Sequence, residues 1–300
     1  MSRRGLVLFS AMCVIWGIPY LFIKIAVRDL TPGTLVFGRT SLAVLLLLPL
    51  AWKRDEIRPL LARWRPVVLF AVVEIAIPWW LLASAETHLS SSLTALLIAA
   101  VPLIGAVVVR TTGSRDRLGW RAATGLAIGM GGVAALVGLD TSGAGAAGVL
   151  EAGAVAVCYA VGPIILARML SDLPALGVIS VSLALCALAY APVAAIQHPH
   201  AVPGAEVLTA VAVLAAICTA LAFLVFFALI AEIGPVRATV ITYVNPAVAA
   251  VAGVAFLGES FTTGMGVGFV LVLLGSVLAA RRGEPVPVDA SLPLAEAAAD

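Results

Sequence analysis

The chain has 300 residues, 62% hydrophobic and only 11% charged, with 18 Lys and Arg against 16 Asp and Glu. Soluble domains carry about 25% charged residues, and no water-soluble globule of this length could enclose so much apolar surface. With a mean hydropathy of +1.14, the composition is that of an integral membrane protein whose solvent is the lipid bilayer.

A membrane-spanning helix needs about 20 mostly apolar residues. Such runs lie near 5–27, 33–51, 66–85, 89–109, 119–139, 148–168, 175–196, 206–230, 236–257 and 263–281. They predict an all-α, polytopic fold of ten transmembrane helices, which uses nearly the whole chain and leaves no room for a soluble catalytic domain. The first run follows Met-Ser-Arg-Arg, is too long for a signal-peptide core and lacks a small-residue cleavage site, so it is expected to be retained. Residues 283–300, with Pro285, Pro287 and four acids, are expected to form a disordered cytoplasmic tail.

Basic residues set the orientation of such a bundle. With the N-terminus inside, fifteen of the eighteen Lys and Arg fall on the inner side, only Lys24 and Arg28 fall outside, and Arg39 lies within a span. Both termini are therefore expected in the cytoplasm, across the plasma membrane. Trp52, Trp64 and Trp120 fall at the inner edge, where an interfacial aromatic belt belongs. The net charge of +2 is too small to recruit nucleic acid. The four cysteines, Cys13, Cys158, Cys186 and Cys218, stand singly in apolar runs, so they are read as small core residues, with neither a disulfide framework nor a metal site.

The two halves of the chain match at a displacement of 143 to 144 residues: Pro19 with Pro163, Lys24 with Arg168, Pro49 with Pro192, Pro102 with Pro246, Asp116 with Glu259, Gly125 with Gly268 and Gly132 with Gly275. Seven matches in one order define two five-helix repeats, 5–139 and 148–281. Five is odd, so the second copy enters the membrane from the opposite face. Inverted repeats around a midplane site are the architecture of secondary transporters working by alternating access.

Trp16-Gly17 followed by Lys24, the Pro32 to Arg39 opening of span 2, the Ala83 to Pro102 stretch, and Asn245-Pro246 then Gly258-Glu259 before a Gly-rich last span resemble the drug/metabolite transporter superfamily, EamA type. The resemblance covers roughly residues 5 to 281. It implies ten spans, a substrate cavity between the repeats lined by the first four helices of each, and export of small metabolites. One departure is Tyr159-Ala160, which stands where the first repeat has Trp16-Gly17.

Two charges lie deep in the predicted spans. Glu74 is about 12 Å from the inner edge and Arg39 about 9 Å from the outer edge of a ~30 Å core, at 1.5 Å rise per residue. Charges at such depth face a cavity or a partner. For Glu74 the alternatives are a proton-coupling or substrate-amine carboxylate, or a structural carboxyl. For Arg39 they are an anchor for a substrate carboxylate, or a partner for Glu74 or for helix-end carbonyls. Trp16, Tyr20, Trp79, Tyr159 and Tyr243 are candidate cavity residues, since an indole N–H or phenol wants a partner that lipid cannot supply; of the adjacent Trp79 and Trp80, one is expected to be an interfacial anchor. Asn245 beside Pro246, and Pro102 at the matching place in span 4, are expected as a binding amide and two hinges. Thr94, Thr219 and Thr242 are expected to bond carbonyls of their own helices. Gly125-x-x-x-Gly129 and Gly264-x-x-x-Gly268 are expected to pack the last helices of the repeats together. Glu86, His88, Glu151 and Glu206 are read as solvated residues near the outer ends.

These residues predict a secondary transporter for small neutral or zwitterionic solutes, amino acids or related metabolites, without cofactor or metal. Its partners are the bilayer, the solute and, as a coupling ion, protons; the chain is read as a monomer or weak homodimer. The alternatives are a passive facilitator or channel, and an intramembrane enzyme. The last lacks a spanning Asp pair, a Ser/His pair or an HExxH motif, and no nucleotide-binding loop is present.

Overall fold

A computed structural model describes residues 2–113, 120–138, 145–197, 199 and 201–280. The tail at 283–300, the basic residues Arg115, Arg117, Arg281 and Arg282, Asp116, His198, His200 and the repeat limits at 139 and 281 lie outside the described residues. The described chain is helical throughout. Seven helical runs are long and apolar enough to cross a membrane, and three shorter apolar helices accompany them. The ten segments are α1 (Arg3–Ala26), α2 (Pro32–Lys53), α3 (Arg58–His88), α4 (Ser91–Ile98 and Val101–Gly113), α5 (Trp120–Gly138), α6 (Ala146–Met169), α7 (Ala175–Ile196), α8 (Ala205–Ile233), α9 (Ile241–Leu257) and α10 (Thr263–Ala280). The face at which α1 begins is called the N-terminal face below.

Local chemistry explains the limits of these helices. Ser2, Thr31 and Ser90 accept the N–H groups of Gly5, Thr34 and Leu93 at 2.9, 3.3 and 3.1 Å, capping α1, α2 and α4. Gly234 and Gly258, at φ +82° and +66°, end α8 and α9 in the left-handed region that a side chain disfavours. The helices are apolar on both sides: Leu45, Leu188, Val251 and Phe256 point outward at 69–77% exposure, a surface that only lipid accommodates. Trp52, Trp64 and Trp120 are exposed on the N-terminal side.

α5 and α10 pack without intervening side chains. A Cβ on Gly125 would meet the backbone of Gly275 and Ala279; a Cβ on Gly268, its repeat equivalent, would meet the Gly132 carbonyl and Leu136. Gly132 likewise faces the backbone of Gly268 and Val272, while Gly275 faces that of Gly125 and Gly129. Exchanging the repeats maps each contact onto another, so the α5–α10 seam lies on the pseudo-two-fold axis. Of the expected small-residue pairs, Gly125 and Gly268 face this seam, while a Cβ on Gly129 would meet the Leu103 side chain of α4.

The repeats share two irregularities and differ in a third. A π-helical turn interrupts the third helix of each, at Ala71–Ala76 in α3 and Ala216–Leu221 in α8. The fourth segment of each is broken: α4 breaks after Ile98, just before Pro102, and a short helix Pro235–Ala238 ends in a turn at 239–240 before α9 begins and runs through Pro246. By contrast α1 breaks after Ile15, just before Pro19, while its counterpart α6 runs unbroken through Pro163. Pro19 therefore follows a break, whereas Pro163 lies within a continuous helix.

Candidate functional site

The two π turns bring α3 and α8 into the middle of the bundle, and polar groups gather there. A π turn shifts the hydrogen-bond register by one residue and leaves backbone groups looking for partners, which is why such turns mark functional sites. The hydroxyl of Tyr190 on α7 donates to the Ala76 carbonyl at 2.9 Å. Thr219, inside the α8 turn, donates to the Leu214 carbonyl five residues back at 2.7 Å.

Arg39 on α2 is 7% exposed. Its Nε donates to Thr219 Oγ1 at 2.9 Å, and its guanidinium carbon lies 3.7 Å from the centre of the Trp79 ring, a cation–π contact strengthened by the exclusion of water. Thr219 and Trp79 thus hold the guanidinium by one nitrogen and one face. Among the described residues nothing hydrogen-bonds its two terminal nitrogens, the fork that pairs with carboxylates.

Glu74 sits on the α3 π turn and is partly exposed; its Oε2 is buried without a hydrogen-bond partner. Among the described residues no ion pair joins it to Arg39, so the expectation that Arg39 is the structural partner of Glu74 gives way to the Thr219 and Trp79 contacts. Tyr159 on α6 is within electrostatic reach of both Glu74 and Arg39 and lies beside Trp79. A guanidinium and a carboxyl group are therefore both within electrostatic reach of one phenol, each with capacity to bind something further.

The other candidates distribute around this centre. Trp16, at the break in α1, packs on Phe226 and Phe223 of α8 with centroids 4.7 and 6.0 Å apart. Tyr20 is buried with Tyr159 packed against the same cluster, and Tyr243 is partly exposed on α9. Trp80, at 39% exposure, faces outward while Trp79 is buried. The Asn245 amide nitrogen, oriented to face two carbonyls, donates to Ile241 at 2.9 Å and to Cys13 of α1 at 3.2 Å; it ties α9 to α1. Thr94 and Thr242 bond their own helices.

The far face is held by contacts within and between the repeats. Lys24 Nζ donates to the carbonyls of Glu86 and Leu89 at 2.5 and 2.7 Å, joining the end of α1 to the end of α3. Glu259 accepts from the backbone N–H groups of Ser91 and Ser92 at 2.7 and 2.9 Å and from both hydroxyls, which caps α4 from the loop after α9. Glu86 is not the solvated loop residue expected: it is fully buried on the last turn of α3, with neither carboxyl oxygen hydrogen-bonded. Glu151 is likewise only partly exposed and accepts from Ser84 at 2.7 Å. Glu206 is exposed and 3.5 Å from Arg28, as a solvated residue would be. Lys24 and Glu259 carried a signal in the repeat matches; Thr219 and Glu86 carried none beyond residue type.

Packing differs between the two faces. Toward the far face, one buried cluster includes Tyr20, Leu35, Leu82, Ala95, Val155, Val207 and Ala249 and so joins seven helices from both repeats. Toward the N-terminal face the buried residues divide. Met12, Leu229 and Ile241 join α1, α8 and α9, while Leu47, Val67 and Ile179 join α2, α3 and α7 in a second cluster, and α8 borders both, with Phe226 on the first and Phe223 and Phe227 on the second.

A two-repeat helical bundle with a guanidinium, a carboxyl group and aromatic rings in its interior is that of a multi-pass membrane transporter. The chain belongs to the EamA-like transporter family of the drug/metabolite transporter superfamily, whose model matches residues 3–138 and 146–281. It is similar to "Uncharacterized inner membrane transporter YedA" of Escherichia coli strain K12, with 28% identity over 299 residues covering 95% of this chain and 97% of that protein. Proteins of the same description from Escherichia coli O6:H1 and O157:H7 match to the same extent. A solved structure described as "Crystal structure of protein" superposes with a TM-score of 0.66 at 19% identity, covering 93% of this chain and 98% of that one, which shows the fold.

Proposed function

We propose that the protein is a secondary transporter of small neutral or zwitterionic metabolites, amino acids and related solutes, which it moves chemically unchanged by alternating access. The observation that carries this reading is that the Arg39 guanidinium and the Glu74 carboxyl are both within electrostatic reach of Tyr159 without pairing with each other. An α-amino acid presents a carboxylate and an ammonium on one carbon: the open fork of Arg39 suits the first and the unpartnered oxygen of Glu74 the second. The rings of Trp79 and Tyr159, with Tyr20 on the same cluster as Tyr159, suit the carbon skeleton.

The single cluster that joins seven helices toward the far face supports a state closed on that side. The break before Pro19 in α1 against the continuous α6 at Pro163 supports two halves in different conformations, as one-sided access requires. With the basic residues at the N-terminal face, that face is cytoplasmic, both termini are inside, and the state is inward-facing in the plasma membrane. Export follows the family, with Glu74 as carrier of a coupling proton. The small-residue stripes are used within the chain, which favours a monomer.

The test is counterflow. Proteoliposomes loaded with unlabelled amino-acid hydrolysate should accumulate ¹⁴C-labelled hydrolysate faster than empty liposomes, and an imposed pH gradient should drive net movement. Absence of counterflow overturns the substrate class; counterflow indifferent to pH makes the protein a facilitator.

A further inference from the structure

α6 packs against the π turn and the outer half of α3, and the contact centres on Gly162, which is buried. A Cβ built on Gly162 would collide with Oε2 of Glu74 and lie 2.8 Å from its carboxyl carbon and 3.1 Å from its Cβ. The carboxyl therefore occupies the space that any other residue at 162 would fill. No backbone requirement accounts for glycine here: Gly162 lies inside a continuous helix, and the positive-φ glycines are Gly234 and Gly258. Glycine inside a helix is disfavoured against alanine. The contact also differs in kind from the glycines of the α5–α10 seam, whose neighbours include backbone atoms that cannot give way. At Gly162 the nearest atoms all belong to the side chain of Glu74.

The neighbouring backbone adds to this setting. Pro163 has no N–H to return to the Tyr159 carbonyl four residues earlier, so the turn of α6 facing Glu74 lacks one helical hydrogen bond. The unpartnered oxygen of Glu74, the Cβ-free surface of Gly162 and the phenol of Tyr159 lie together on this side of the candidate site.

We propose that Gly162 is a positioning residue: it seats the Glu74 carboxyl against α6 and so sets where the substrate ammonium or the coupling proton is held. This rests on the reading of Glu74 given above. A methyl group at 162 needs ordinary van der Waals separation, so it displaces the carboxyl by at least about 1 Å. The displaced carboxyl is the end of a flexible side chain, so the helices need give only by a few tenths of an ångström, at the Glu74 Cβ. Loss of a well-placed charged partner weakens binding by about tenfold.

The experiment uses the full-length purified chain as wild type, Gly162→Ala, Glu74→Gln and the double variant Glu74→Asp/Gly162→Ala. Asp is one methylene shorter and restores the room that the methyl takes. The first readout needs no substrate: modification of Glu74 by the hydrophobic carboxyl reagent dicyclohexylcarbodiimide, located by peptide mass spectrometry. The second is counterflow of ¹⁴C-labelled amino-acid hydrolysate. Gly162→Ala is expected to change the Glu74 modification rate and to raise the half-saturation concentration, each by about tenfold, with the maximal rate within about twofold. The double variant should recover most of the half-saturation change. Wild-type modification and half-saturation in Gly162→Ala, or a double variant no better than the single, overturns the proposal. If Gly162→Ala fails to fold, recovery of a monodisperse protein in the double variant supports the seat, and no recovery overturns it. Absence of counterflow in wild type strikes the substrate reading alone, and the modification rate still decides the role of Gly162.

Discussion

Two adjacent glycines on α5 should respond to alanine with opposite signs. A Cβ on Gly131 meets nothing within 4 Å, whereas one on Gly132 would lie 2.7 Å from the Val272 nitrogen, 2.8 Å from the Gly268 carbonyl oxygen and 2.9 Å from the Leu271 Cβ. Gly131→Ala gains helix propensity and should stabilise by about 0.5–1 kcal/mol. Gly132→Ala forces backbone to give way: restoring contact at about 3.5 Å means parting α5 from α10 by about 0.8 Å. Overpacking of that kind costs about 1–3 kcal/mol. Thermal unfolding of the purified protein in detergent, followed by tryptophan fluorescence, should place Gly132→Ala at least about 2 °C below wild type and Gly131→Ala at or above it. Gly275→Ala, the repeat equivalent, should behave like Gly132→Ala, because its Cβ would lie 2.6 Å from the Gly125 carbonyl oxygen. Shifts of the same sign at 131 and 132, or a Gly132→Ala midpoint equal to wild type, would refute the close seam and the pseudo-two-fold axis placed on it.

Glu74→Gln keeps the shape of the side chain but cannot exchange a proton, so it should abolish pH-driven accumulation while sparing counterflow without a gradient; full response to a pH gradient removes the carrier role. Arg39→Lys loses the planar fork and the stacking on Trp79 and should raise the half-saturation concentration of counterflow by about tenfold or more; an unchanged value removes Arg39 from the binding site. Glu259→Gln gives up charge-assisted acceptance at the start of α4 and should destabilise by about 1–3 kcal/mol, read as a lowered unfolding midpoint. Val202→Cys, at a position 88% exposed on the far face, should react with an impermeant maleimide added to intact cells, while Leu61→Cys, at a position 71% exposed on the N-terminal side, should react only after lysis. The reverse pattern inverts the topology.

The candidate site was legible in part. Glu74 and Arg39 stood out because a charge at depth in an apolar run is costly whatever surrounds it, and Trp79 follows as the ring beneath Arg39. Glu86 was misread for a physical reason. Distance from the end of a span measures depth along the membrane normal, and Glu86 is hidden sideways, by Lys24 and the packing of α1 against α3. Thr219 was read only as a residue bonded to its own helix. It is that, and its remaining lone pair receives Arg39 from 180 residues away.

The linear sequence determined the solvent, the helical class, the ten apolar segments and the doubling of the five-helix unit. Lipid thickness and backbone hydrogen bonding impose those constraints on each segment separately, and a repeat leaves matching residues at a constant displacement. Tertiary structure decided how each helix is rotated about its axis. Helices apolar on every side carry little periodicity to announce a buried face, so the meeting of Arg39 with Thr219, of Glu259 with the start of α4, and of Glu74 with Gly162 depends on neighbours from the other repeat. The same holds for the paired prolines. Pro19 and Pro163 present the same local chemistry, yet α1 breaks and α6 does not, because the packing around each decides whether the missing hydrogen bond becomes a break or a bend.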